Sequence, residues 1–177
     1  MKNPILRTAL TLLLICGVCA GLVAAVYHVT LPVTTAREAE AEKALVLSVY
    51  PEAASLQAKE LEAKGNVEKL TAYLDGEGKL CGFVGIVCGA GFGGDIRLVI
   101  AVTPEGKILG AGVQEHSETP GVGSRAVGGD FIASLTGASL PVGENGVDSV
   151  SGATISSRAV MAAADELLSL IREEGKA

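Results

Sequence analysis

The chain has 177 residues, enough for one ordinary domain and an appendage but not for two large domains. It is 49% apolar with a mean hydropathy of +0.43, and the excess lies at one end. Before residue 34 the only charges are Lys2 and Arg7. The remainder therefore carries 12 basic and 20 acidic residues, a net charge of −8 that argues against binding nucleic acid or anionic lipid.

From Thr8 to Tyr27 the sequence TALTLLLICGVCAGLVAAVY has no charged residue, and the apolar character continues to Val33. About 20 such residues cross a bilayer as a helix, which predicts a transmembrane helix over 8–31. Basic residues precede it and Glu38, Glu40 and Glu42 follow. Residues 1–7 are therefore expected in the cytoplasm and everything after the span outside, in a cell (inner) membrane protein. A cleaved signal peptide is the competing reading, because Val23-Ala24-Ala25 and Cys19-Ala20-Gly21 offer small residues; the length of the apolar core favours an uncleaved anchor. Cys16 and Cys19 have CxxC spacing inside this span, where an apolar setting raises a thiol's pKa and leaves it inert.

Residues 34–66 read as a stalk or helical linker. Thr35–Tyr50 is a charged helix running into an apolar patch and stopped by Pro51, and 52–66 is a second short helix or a loop. Residues 67–175 read as the extracytoplasmic domain. Strands are expected over Lys69–Leu74, Lys79–Cys88, Asp95–Thr103 and Ile108–Gln114, joined by DGEG and PEGK turns too short for crossover helices, so the sheet is antiparallel. Helices are expected over Ser124–Leu135 and from Ile155 to about Glu174, the latter with Val160, Ala163, Ala164, Leu167, Leu168 and Ile171 on one stripe. The fold class is α+β: one N-terminal transmembrane helix, then a small antiparallel sheet packed with helices. The spacing of Cys81 and Cys88 puts them on opposite faces of one strand, so a bridge between them would need a bend, and their state stays open.

Three stretches carry candidate chemistry. Gly89–Gly94 satisfies GxGxxG, but a strand follows where a dinucleotide site needs a helix start. A loop that lets another backbone or a flat ligand come close fits better. In EHSETPGVG (115–123), Glu115, His116 and Glu118 form a weak metal pattern, and no metal is expected; a polar loop folding over a ligand fits better, because Pro120 and the glycines fix the backbone and expose its N–H groups. Arg125, just downstream, could meet a phosphate. In GVDSVSGATISSRAV (146–160), Ser151 or Thr154 is either a helix N-cap or a hydroxyl bearing a phosphate in the helix dipole, and the residues alone leave both open.

The segment Asp148-Ser149-Val150-Ser151-Gly152-Ala153-Thr154 resembles the D-x-x-[ST]-G-A-T flavinylation motif of the covalent FMN-binding domain family, and His116–Gly123 resembles that family's H-x-E-T-P-G-L-G segment, with Val122 in place of Leu. With the single span and its TLPVT exit (30–34), nearly the whole chain is similar to the G component of Rnf-type ion-translocating ferredoxin:NAD oxidoreductases. The resemblance implies an electron-transfer subunit without a substrate of its own. It implies FMN joined by a phosphoester to Thr154 by a flavin transferase, and other membrane subunits of the complex as partners. Ser151, Gly152, Ala153, Asp148, His116, Glu118, Thr119, Gly121 and Arg125 are the implied cofactor-binding residues, and Phe92, Tyr73 and Phe131 are candidates for stacking on the flavin. The decoy Thr136-Gly137-Ala138-Ser139 lacks the acid three residues upstream, having Ala133 there. Alternatives are the C component of a Na+-translocating NADH:quinone reductase, a stand-alone anchored flavoprotein reductase, and a non-redox anchored ligand-binding module.

Overall fold

The computed structural model describes residues 4–174. They form two compact units that divide between Glu42 and Lys43. Helix α1, Pro4–Val49, runs through the first unit and ends in the second. Residues 7–32 of it are exposed, and the helix is long and apolar enough to cross a membrane, with a mean hydropathy of 2.6 over the best window. Cys16 and Cys19 lie on it as free, exposed thiols.

The second unit holds a five-stranded antiparallel meander: β1 (Gln57–Leu61), β2 (Val67–Leu74), β3 (Leu80–Ala90), β4 (Asp95–Val102) and β5 (Ile108–His116), neighbouring in that order. Each predicted strand is present to within a few residues. Strand β1 occupies the stretch expected to be helix or loop: QAKEL has almost no apolar face, and it forms because its backbone pairs with β2, Gln57 opposite Leu74 through Leu61 opposite Leu70. The helix expected over 124–135 is two pieces, a 3-10 turn at Gly123–Val127 and α2, Gly129–Ser134. The break falls at Gly128-Gly129, where helix propensity is lowest. Helix α3, Thr154–Glu174, closes the domain.

Period-2 alternation sends the side chains of β4 to two cores. Ile96, Leu98, Ile100 and Val102 face the larger one, shared with Val160, Ala164, Leu167 and Ile171 of α3. Val99 and Ala101 face a smaller one with Tyr50, Val84 and Ile86, against which Leu45, Val46 and Val49 of α1 pack. Both helices approach the sheet over glycines. A side chain at Gly85 would overlap the tip of Leu167, and one at Gly89 would come within 2.8 Å of the Ala159 carbonyl; on the other face, one at Gly112 would lie 2.7 Å from Leu45. Tyr73 meets Tyr50 edge to face, ring centroids 5.7 Å apart, and Phe131 is buried in the larger core. Phe131 is therefore not available for stacking on a ligand, while Tyr73 is half-buried.

Cys81 and Cys88 are free thiols on β3. Burial, with the carboxylates of Asp95 and Glu68, pushes the Cys88 thiol above its ordinary range despite Arg97 nearby. A raised pKa keeps it protonated near neutrality, so alkylation of Cys88 by iodoacetamide at pH 8 should be slower than that of free cysteine when followed by mass spectrometry. Gly85→Ala should cost about 1–3 kcal/mol in a urea titration because the added methyl has nowhere to go, and combining it with Leu167→Ala should give less than the sum of the two single losses.

Candidate functional site

Three segments converge at one end of the sheet: the β3–β4 tip, the loop after β5, and the start of α3. The tip is tight because Gly91 donates to the Gly94 carbonyl (3.0 Å), and Gly94 has φ +147°. The loop after β5 runs close against it. A side chain at Gly93 would stand 2.6 Å from the Ser117 carbonyl and 2.9 Å from the Glu118 Cα, so only glycine lets the two backbones meet. Here GxGxxG is a steric device between strands, as its strand context predicts.

Glu118 reaches under the tip. It is 5% exposed, and its Oε1 accepts the Gly93 N–H at 3.2 Å. Its own N–H donates to His116 Nδ1 at 3.3 Å, while the His116 ring stays exposed at the end of β5. Gly91 and Gly123 flank the carboxylate: a Cβ on either would overlap one of its oxygens. The rest of the loop is held by its own bonds. The Thr119 carbonyl accepts from Val122 and Ser124 (both 3.2 Å), and Gly121, at φ +78°, donates to Ser124 Oγ at 2.8 Å. Gly121 is itself exposed.

The start of α3 differs from the N-cap expectation. Ser157 N–H donates to the Ala153 carbonyl (2.9 Å), so the cap position is Ala153 and Thr154 is the first helical residue. Alanine has no side-chain acceptor, and neither Ser151 nor Thr154 occupies the cap. Instead Ser157, one turn inside, accepts the Val150 N–H (3.1 Å) and donates to the Ala153 carbonyl (3.0 Å). The N–H groups of Thr154, Ile155 and Ser156 precede the helical ladder, the arrangement that favours an anion. Arg125 steadies the approach to the helix, its Nη1 donating to the Ser151 carbonyl at 3.0 Å beside Gly152, which has φ +79°.

Between these segments lies an open cleft of about 320 Å3 lined by Phe92, Val122, Gly123, Gly152, Ala153, Thr154, Ile155 and Ser156. Thr154 is half-buried in its wall. Phe92, Val122 and Ile155 are 67%, 49% and 58% exposed, an uncovered apolar rim on a domain that buries most of its other large apolar side chains. The cleft thus joins a hydroxyl, a free helix N-terminus and a bare apolar surface, which fits a phosphorylated planar aromatic ligand. Of the residues expected at the site, Thr154, Gly152 and Ala153 line the cleft; Ser151, Arg125, Glu118, Thr119, Gly121, His116 and Asp148 lie outside its lining, Arg125 bound to the Ser151 carbonyl next to Gly152 and Glu118 buried against Gly123. The decoy at 136–139 lies elsewhere. It follows the short α2, Gly137 donates to the Ile108 carbonyl, and Ser139 bridges to Lys107.

Val122, Gly123, Ile155 and Ser156 line the cleft but are not among the cofactor-binding residues expected from the sequence. Ser156 and Ser157 carried a usable signal: they sit four and three residues before Val160, on the buried stripe of α3, where a hydroxyl needs a reason. Also buried, with no hydrogen-bond partner among the described residues, are Glu118 Oε2, Ser156 Oγ and Gln114 Oε1. Gln114 stands where the β4–β5 register slips between Arg97 and Leu98.

Comparisons with known proteins agree with this geometry. Residues 91–169 match the family described as the FMN-binding domain, and residues 1–49 match the RnfG N-terminal region. The G component of the ion-translocating oxidoreductase complex of Methanosarcina acetivorans is 32% identical over 170 residues, covering 90% of both chains. The G component of the proton-translocating ferredoxin:NAD(+) oxidoreductase complex of Clostridium ljungdahlii is 27% identical, covering 90% of this chain and 87% of that one. The crystal structure of Shewanella oneidensis NqrC shares the fold, with a TM-score of 0.52 at 24% identity over 66% of this chain and 69% of that one. Gly93→Ala should lower the melting temperature by several degrees, about 1–3 kcal/mol of overpacking, because the methyl meets the backbone of Ser117, Glu118 and Thr119; Gly76→Ala, at a turn with open space, should change it little.

Proposed function

The chain belongs to the family of G components of ion-translocating oxidoreductase complexes, and from that premise we propose that it carries electrons through FMN esterified to Thr154. The observation that carries this reading is the position of Thr154, first residue of α3, in the wall of an apolar-rimmed cleft whose cap residue is alanine. When bound, FMN supplies one- and two-electron redox chemistry.

The residues divide the work of holding it. Thr154 Oγ would bear the phosphoryl group, and the first N–H groups of α3 with the helix dipole would offset its charge. Gly152 and Ala153 leave room for the group and for the flavin transferase that attaches it. Phe92, Val122 and Ile155 offer the ring a surface that is otherwise wet. Arg125 keeps the Ser151–Gly152 turn in place, and the loop from His116 to Gly123, pinned by Glu118, forms the facing wall. A covalent tether suits a carrier outside the cytoplasm, where lost cofactor is not easily replaced. The chain is proposed to cross the membrane once between residues 8 and 31, with its N-terminus cytoplasmic, the domain on the far side and other membrane subunits of the complex as its partners.

The test is the full chain produced together with a flavin transferase. Thr154→Val should abolish flavin fluorescence of the band on a denaturing gel, whereas Thr136→Val and Ser139→Ala should leave it intact. Fluorescence that survives Thr154→Val overturns the attachment site. Detergent extraction should bring other membrane subunits along with the chain, and a protein that consistently purifies alone is a stand-alone flavoprotein instead.

A further inference from the structure

Resting on that reading of Thr154, we infer that Glu118 is a positioning residue that acts through Ser156: their side chains form a buried link between the loop 116–123 and the first turn of α3, and the link holds Thr154 in register with the facing wall.

Glu118 Oε2 and Ser156 Oγ are both shut off from solvent and both lack a partner among the described residues. The two residues are 5% and 1% exposed. They flank the same point of the backbone: a Cβ on Gly123 would overlap Glu118 Oε2 and lie 3.1 Å from Ser156 Oγ. One atom is an acceptor and the other carries a donor, so each supplies what the other lacks. Leaving both unmade in a dry interior is costly, and a link between them, direct or through one trapped water, removes both penalties at once. The other carboxylate oxygen already holds Gly93. With the link made, a single carboxylate joins the β3–β4 tip, the loop and the start of α3, the three segments that build the cleft. Ser156 lies two residues after Thr154 in the same helical turn, so what fixes one fixes the other.

A role through hydrogen bonding is separable from a role through charge. Glu118→Gln keeps an oxygen for the Gly93 N–H and offers an N–H to the Ser156 oxygen, which accepts as well as donates. It should retain flavin attachment to within about twofold of the parent, read as fluorescence per unit of protein on a denaturing gel. Glu118→Ala should lose about tenfold or more, and Ser156→Ala should fall between them. Attachment in the Gln variant as poor as in the Ala variant overturns the inference, because charge would then be what matters.

A second readout needs no flavin. In full chains carrying Thr154→Val in detergent, Glu118→Ala and Ser156→Ala together should lower the melting temperature no further than the worse of the two alone, as expected for partners in one interaction. Additive falls refute the link whatever becomes of Thr154. If Glu118→Ala does not fold, hydrogen exchange of the Ser156→Ala chain decides the matter. The peptide covering 116–124 should exchange about tenfold faster than in the parent, and unchanged exchange sinks the proposal.

Discussion

The close approach of α3 to β3 is the constraint from which the rest of the domain follows. Gly85, in the middle of β3, and Gly89, near its end, remove two side chains from one face of the strand, and Leu167 and the backbone at Ala159 occupy the space. Interiors pack like crystals, so a helix seated this deeply has little freedom to slide or tilt. Its N-terminus is thereby delivered to the β3–β4 tip, and the loop after β5 has to fold over that junction. Just past the end of the same strand, Gly91 and Gly93 admit the loop.

The chemistry of the cleft is defined by what is missing from its walls. With alanine at the cap of α3 and no side-chain acceptor there, the helix keeps its first N–H groups free for something else. Phe92, Val122 and Ile155 stay uncovered although the domain buries most of its other large apolar groups. Glu118 is packed among glycines and accepts the Gly93 N–H with one oxygen, leaving the other without a partner among the described residues. The uncapped helix start and the uncovered apolar rim each cost stability in the unliganded protein, a pattern expected where local rules are broken for a ligand.

Where the sequence had a strong period or punctuation, it was readable. DIRLVIAV, the DGEG and PEGK turns and the stripe on α3 announce β4, its neighbours and the last helix, and they lie where they were expected. QAKEL was not readable as a strand because an exposed edge strand owes its structure to backbone pairing and not to an apolar face. The break between the turn at 123–127 and α2 was hidden because a mixed apolar stretch shows a helical period even when two glycines interrupt it. At the site, the hydroxyl and its helix were legible in SGAT. The burial of Glu118 was not, since a polar loop reads as solvated until one sees that Gly91, Gly93 and Gly123 surround its carboxylate. Tyr73 and Phe131 show the converse: an aromatic ring in sequence does not reveal which side of a sheet it faces.

The last turns of α1 have a practical bearing on how the extramembrane part could be handled. Leu45, Val46 and Val49 form part of the cover over Val99, Ala101 and Ile86, so this helix end is core material for the sheet as well as a tether. A proteolytic cut before Lys43 would free a fragment that keeps both of its hydrophobic layers. A cut just beyond Val49 would remove Leu45, Val46 and Val49 from one face of the sheet and leave Gly110 and Gly112 bare. A soluble version of this domain therefore has to begin upstream of the point where its first strand begins, and a fragment started at the sheet itself would be expected to aggregate through the face it had lost.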